Sequence, residues 1–160
     1  MSVDTKLTKT PYQREKYTND QLAELAKCII DPQYFITEYC WIQHPTKGRL
    51  KFDLFDYQRD LLDSYHDNKY SIALISRQMG KSTAAAAYLL WYAMFIPDQT
   101  ILIAAHKYSG AQEIMQRIRF AYELLPNFIR AGVTAYNKGS LEFDNGSRIV
   151  AQATTDNTGR

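Results

Sequence analysis

The sequence predicts an α/β domain built on a parallel sheet. Three observations carry that reading. Two short apolar runs, Ser71–Ile75 and Thr100–Ala105, have the look of buried strands. Each is followed by a turn and then a helical pattern, the order expected of strand–helix–strand units. The 160 residues are 46% hydrophobic and 22% charged, which is globular and excludes a fully disordered, collagenous or coiled-coil chain.

The elements follow in order. Residues 1–17 are polar and mixed in charge and are expected to form a flexible arm. Thr18-Asn-Asp-Gln21 fits a capping box, and Leu22, Leu25, Ala26 and Ile29 then recur at helical spacing. Asp31-Pro32 fits an N-cap followed by proline at the first helical position, so a second helix should run through Phe35, Ile36 and Tyr39. Pro45-Thr-Lys-Gly48 signals a turn between strands Trp41–His44 and Arg49–Phe52. A helix from about Asp56 to His66 opens the alternating part. The strand Ser71–Ile75 leads into a turn at Ser76–Gly80 and an Ala-rich helix from Lys81 to about Phe95. After Thr100–Ala105, a long amphipathic helix carries Ile114, Ile118, Ala121 and Leu125 on one stripe. Val133–Tyr136, Ser140–Phe143 and Arg148–Ala153 read as short antiparallel strands. Asn145-Gly146 between the last two predicts a type I′ hairpin turn, which needs φ > 0 at both central positions. A polar loop, residues 154–160, follows.

Composition narrows the function classes. Nineteen basic against 17 acidic residues give a net charge of +2, so nucleic-acid contact would need a local patch. Arg117, Arg119, Arg130, Lys138 and Arg148 are candidates, with nothing in the sequence to put them on one face. Cys28 and Cys40 read as buried thiols of a reducing compartment rather than a disulfide or metal pair. His44, His66 and His106 have no helical i, i+4 partner, which argues against a zinc site. No apolar run reaches membrane-spanning length and the N-terminus lacks a secretory signal, so a cytoplasmic protein without membrane contact is expected.

The sharpest local signal is Ser76-Arg77-Gln78-Met79-Gly80-Lys81-Ser82, followed by Thr83. It sits between an apolar run and a helix, the context a phosphate-binding P-loop requires. Such a loop turns backbone N–H groups towards phosphates at the positive end of a helix dipole. Gly80 would let the backbone approach a phosphate. Lys81 would reach the β- and γ-phosphates, and the Ser82 hydroxyl would ligate Mg²⁺. The pattern G-x-x-x-x-G-K-[ST] asks for glycine at position 75, where this chain has Ile75. Arg77 is either a solvated loop charge or a guanidinium aimed at the γ-phosphate. Upstream, Phe55-Asp56-Tyr57-Gln58 opens a helix, with Gln58 23 residues before Lys81. An aromatic ring and an amide there could stack on adenine and read its N6/N7 edge; by default Tyr57 is a core residue.

These motifs, taken as an ordered series, resemble the ATPase domain of the large terminase subunit of tailed phages, in the branch of the myovirus DNA-packaging motor. The series also includes Asp31-Pro32 with Tyr34-Phe35-Ile36, Phe52-Asp53-Leu54-Phe55, Ala104-Ala105-His106-Lys107, Glu123-Leu-Leu-Pro126, Asn137-Lys-Gly-Ser140 and Asp144-Asn-Gly-Ser147. The resemblance spans roughly residues 20–160. It implies a P-loop NTPase of ASCE, RecA-like type, with parallel sheet, flanking helices, a helical N-terminal segment at 18–55 and a C-terminal antiparallel hairpin. It implies ATP and Mg²⁺ as cofactors, with Tyr57 and Gln58 at the adenine and Arg77, Gly80, Lys81 and Ser82 at the phosphates. Arg77 matches the loop arginine proposed in the family to sense the γ-phosphate. The activity implied is ATP-driven translocation of double-stranded viral DNA into the prohead, in the host cytoplasm, with portal protein and small terminase subunit as partners.

The family's next strand ends in Asp-Glu, the Walker B pair. No run of four apolar residues followed by an acid occurs here, and Glu142 and Asp144 fall in a hairpin. Residues 56–160 are therefore expected to be the first part of the ATPase domain, inactive alone, lacking Walker B and nuclease and calling for a complementary C-terminal polypeptide. Two other readings stand beside this one: the first lobe of a helicase-like translocase, and an inert fragment of a split gene.

Overall fold

The Ala-rich helix organises the molecule. In the computed structural model, which describes residues 7–44 and 46–154, helices α1 (Asn19–Ile30) and α2 (Pro32–Tyr39) precede a hairpin of β1 (Trp41–His44) and β2 (Gly48–Lys51). Helices α3 (Asp56–Asp67) and α4 (Lys81–Phe95), strand β3 (Thr100–Ala105), helix α5 (Tyr108–Glu123) and strands β4 (Val133–Tyr136), β5 (Ser140–Phe143) and β6 (Arg148–Ala153) follow. Alanine has the highest helix propensity and lets neighbours approach closely. Helix α4 accordingly is buried on nearly all sides, through Ala84, Ala86, Ala87, Leu90, Trp91, Ala93 and Met94. Helices α1 and α2 dock on it. The Trp91 indole N–H donates to the Cys28 carbonyl at 2.7 Å, and Phe35 meets Phe95 edge-on at 5.5 Å. Burial pushes the Cys28 thiol up to about 12 and raises Cys40 as well, and both thiols are free.

The N-caps read from the sequence are in place. The Thr18 hydroxyl accepts from the Gln21 N–H while the Gln21 side chain accepts from the Thr18 N–H, and Asp31 caps α2 ahead of Pro32. Only part of the α1 stripe is covered: Cys28 is buried and Leu25 packs on the core, whereas Leu22 and Ile29 are exposed. Glu24 on α1 accepts from the Tyr34 and Tyr39 hydroxyls, both at 2.7 Å, and from Lys27 at 2.6 Å. The Lys27 bond, then the two tyrosines, hold its carboxyl down to about 2. A carboxylate whose folded-state pKa is depressed stabilises the fold above its unfolded value, about 4.3, and loses that contribution as pH falls through the folded value. The stability difference between wild type and Glu24→Gln is therefore expected to be full at pH 6 and to shrink steadily towards pH 2. Urea unfolding at a series of pH values measures it; a pH-independent difference would remove Glu24 from the account.

The main sheet has the order β3-β6-β5-β4, with β3 parallel to β6 and the other pairs antiparallel. It is therefore a mixed sheet: the antiparallel strands β4 to β6 are as expected, but the parallel part is the β3–β6 pair alone, without Ser71–Ile75. The difference lies at residues 71–76, which form neither strand nor helix; Ile72 and Leu74 are fully exposed. A strand exists only where a neighbour supplies the ladder, and among the described residues none pairs with this segment. The first hairpin is also one residue earlier than expected on its return side: β2 ends at Lys51, and the Phe52 N–H bonds to the Cys40 carbonyl as its ring enters the core.

The β5–β6 connection corrects the type I′ expectation. Gly146 has φ +85°, but Asn145 does not have positive φ. The Gly146 N–H bonds to the Phe143 carbonyl and the Phe143 N–H to the Ser147 carbonyl, the pattern of a three-residue loop closed by an αL glycine. The Asn145 amide instead donates to the Ala93 and Met94 carbonyls, and the buried Ser147 hydroxyl donates to the Ile96 carbonyl. The turn thus caps the C-terminus of α4, whose last carbonyls have no partner within the helix.

Residues 7–17 of the expected arm lie against the body. The Lys9 N–H donates to the Tyr122 hydroxyl, its carbonyl accepts from the Val133 N–H, and its ammonium pairs with Glu15 at 2.9 Å. The Tyr12 N–H donates to Asp144. Residues 1–6 and the polar loop from residue 155 onward lie outside the described residues.

Candidate functional site

The loop from Ser76 to Gly80 and the first turn of α4 form the candidate site. Gln78 and Gly80 have φ of +63° and +69°. Left-handed residues within a short loop are the backbone conformation from which anion-cradling nests are built. Position 75, where the consensus has glycine, needs none here, because Ile75 does not have positive φ. Gly80 is the N-cap of α4; its carbonyl accepts from the Thr83 and Ala84 N–H groups. No side chain caps this helix end. The Lys81 and Ser82 N–H groups of its first turn are thus open to an outside acceptor, at the positive end of a 15-residue dipole.

Side chains are disposed around that opening. Arg77 is exposed at the tip of the loop, and Met79 is partly exposed. Lys81, Ser82 and Thr83 are half-buried in the first turn, with the Ser82 hydroxyl available as a metal ligand. Among the described residues, no group of three or more His, Cys, Asp or Glu side chains is arranged to hold a metal. An ion there would depend on Ser82 together with oxygens of its ligand.

The fold also brings Tyr57 and Gln58 to the loop. The Tyr57 hydroxyl donates to the Met79 carbonyl at 2.9 Å, and the Gln58 amide donates to the same oxygen at 3.2 Å. Gln58 is 3% exposed, and its Oε1 accepts from the Phe55 N–H at 3.1 Å. The Phe55 and Tyr57 rings stack, 5.7 Å apart and 9° from parallel, and Phe55 is 64% exposed. Sequence spacing pointed to Tyr57 and Gln58 but not to Phe55, nor to a bond between Gln58 and the loop.

Sequence reading also missed a cleft of about 350 Å³ beside the loop. Thr83 lines it together with Trp41, His44, Glu113, Arg117 and Phe120. No spacing signal marks it, since its residues come from the first hairpin, α4 and α5.

Four of the basic candidates are engaged by contacts within the fold. Arg119 lies over the Tyr136 ring and Arg130 over the Tyr122 ring, Arg117 bonds to the Glu113 carbonyl, and Arg148 to Thr100. Arg119 and Arg130 thus pack on aromatic rings of the fold. Asp144 receives the Tyr12 N–H, a structural role at the hairpin. No helix among the described residues is long and apolar enough to cross a membrane.

The family described as "Terminase large subunit, T4likevirus-type, N-terminal" matches residues 72–160. The matched region begins ahead of the loop and takes in the loop itself, α4 and the whole main sheet. Tyr57 and Gln58 precede it.

Proposed function

The chain belongs to the T4-like-virus type of large terminase subunit, as part of its N-terminal region, and from that premise we propose that it is the ATP-binding portion of a phage DNA-packaging motor. Residues 76–83 hold the triphosphate. Lys81 supplies charge at the β- and γ-phosphates, Ser82 an oxygen for Mg²⁺, and Arg77 a guanidinium for the γ-phosphate. The metal supplies charge neutralisation between phosphates when bound. The Tyr57 ring stands at the base end, with the Phe55 ring beside it.

The observation that carries this reading is the open N-terminus of α4 behind a loop with left-handed residues at 78 and 80. Calorimetric titration with MgATP tests it. Saturable one-to-one binding is expected, and an absence of binding by the folded chain would overturn it. Hydrolysis needs a carboxylate pair that residues 1–160 do not offer on an apolar strand. The exposed Ile72 and Leu74 support a further apolar strand beside them, from the part of the motor that carries the pair. In the assembled motor, acting in the host cytoplasm, turnover drives double-stranded DNA through the portal protein into the prohead, with the small terminase subunit as a further partner.

A further inference from the structure

We infer that Gln58, assisted by Tyr57, is a positioning residue that braces the phosphate loop, and that its effect on nucleotide binding does not depend on the base. The inference rests on the phosphate-loop reading above and deepens it.

The geometry is specific. Gln58 joins the start of α3 to the loop through one side chain: Oε1 accepts from the Phe55 N–H and Nε2 donates to the Met79 carbonyl. Both ends of the amide are therefore engaged with backbone before any ligand arrives. Met79 lies between the two left-handed residues, Gln78 and Gly80. A carbonyl held by two donors, the Gln58 amide and the Tyr57 hydroxyl, fixes the peptide plane between Met79 and Gly80. That plane sets the direction of the Gly80 N–H and the start of α4.

Gly80 is the complement of this brace. A Cβ at Gly80 would lie 2.6 Å from Gln58 Nε2, so only glycine leaves room for the amide. Position 80 is constrained twice, by φ of +69° and by the seat of Gln58. Because the amide is buried, losing its donor would leave the Met79 carbonyl to the Tyr57 hydroxyl alone and loosen the loop's attachment to α3.

Gln58→Glu is the informative variant. It keeps an oxygen for the Phe55 N–H, and so the start of α3, but removes the donor to Met79. Tyr57→Phe removes the second donor and keeps the ring that stacks on Phe55. Binding of MgATP and of magnesium tripolyphosphate, which has no base, is compared by calorimetry. Gln58→Glu should weaken both by the same factor, about ten-fold, with Tyr57→Phe a smaller loss of the same kind. A fall for ATP with unchanged tripolyphosphate affinity would make Gln58 a base reader only and overturn the brace. Amide hydrogen exchange of residues 78–82 in the ligand-free protein gives an independent readout. Faster exchange in Gln58→Glu is expected, and unchanged exchange overturns the brace whatever the ligands do. Failure of wild type to bind either ligand would reject the phosphate reading, while the exchange result would still decide the brace.

Discussion

Arg77→Ala, made in the chain joined to a polypeptide that carries the acidic strand, is expected to lower ATP hydrolysis by about 10³–10⁵-fold, the range typical of an arginine that stabilises a transferring phosphoryl group. Arg77 is exposed at the loop tip. No hydrogen bond or ion pair holds its guanidinium among the described residues, so it is available to a ligand. Charge on the γ-phosphate oxygens develops during transfer, so the contact matters most in the transition state. ATP affinity should accordingly stay within about ten-fold of wild type, since in the proposed site backbone N–H groups and Lys81 would already hold the phosphates. Residues 1–160 by themselves should show no turnover. Steady-state phosphate release and equilibrium binding together make the measurement. Normal turnover in the joined Arg77→Ala protein would return Arg77 to a solvated loop charge.

Lys81→Ala should weaken MgATP binding by about 1.5–3 kcal/mol, the scale of a charge-assisted hydrogen bond, or roughly ten- to a hundred-fold. The substitution is well suited to the question. Lys81 is half-buried in the first turn of α4, and alanine is a better helix former than lysine, so the helix should survive it. Calorimetry on a variant with unchanged unfolding midpoint isolates the charge. Retention of full affinity would sink the assignment of Lys81 to the phosphates.

The elements with strong local signals were legible. The bounds of α4 and of β3 through β6 coincide with those expected, because an alanine run and short alternating strands state their period within a few residues. What the sequence did not disclose depends on distant partners. Ser71–Ile75 has the composition of a strand, but strand formation depends on a neighbour that composition does not name. Asn145 next to Gly146 looks like a turn pair, yet its amide reaches Ala93 and Met94, about fifty residues back. For the site, spacing singled out residues 76–83 and the Tyr57-Gln58 pair, and the fold brings them together at the Met79 carbonyl. The direction of that bond, from glutamine to loop rather than glutamine to base, is a matter of packing and has no sequence signature.

The attachment of residues 9–12 bears on the order in which the chain assembles. Their partners, Tyr122, Val133 and Asp144, lie 113 to 132 positions further on. Closing a loop of that length in an unfolded chain would cost about 4 kcal/mol, against a few backbone bonds gained. The same closure costs far less once the helices and the sheet have already brought the two regions together. The segment should therefore dock after β4 and β5 have formed and be among the first to detach when the protein opens locally. During synthesis it leaves the ribosome well before Tyr122, Val133 and Asp144, and waits for them before it has anything to hold.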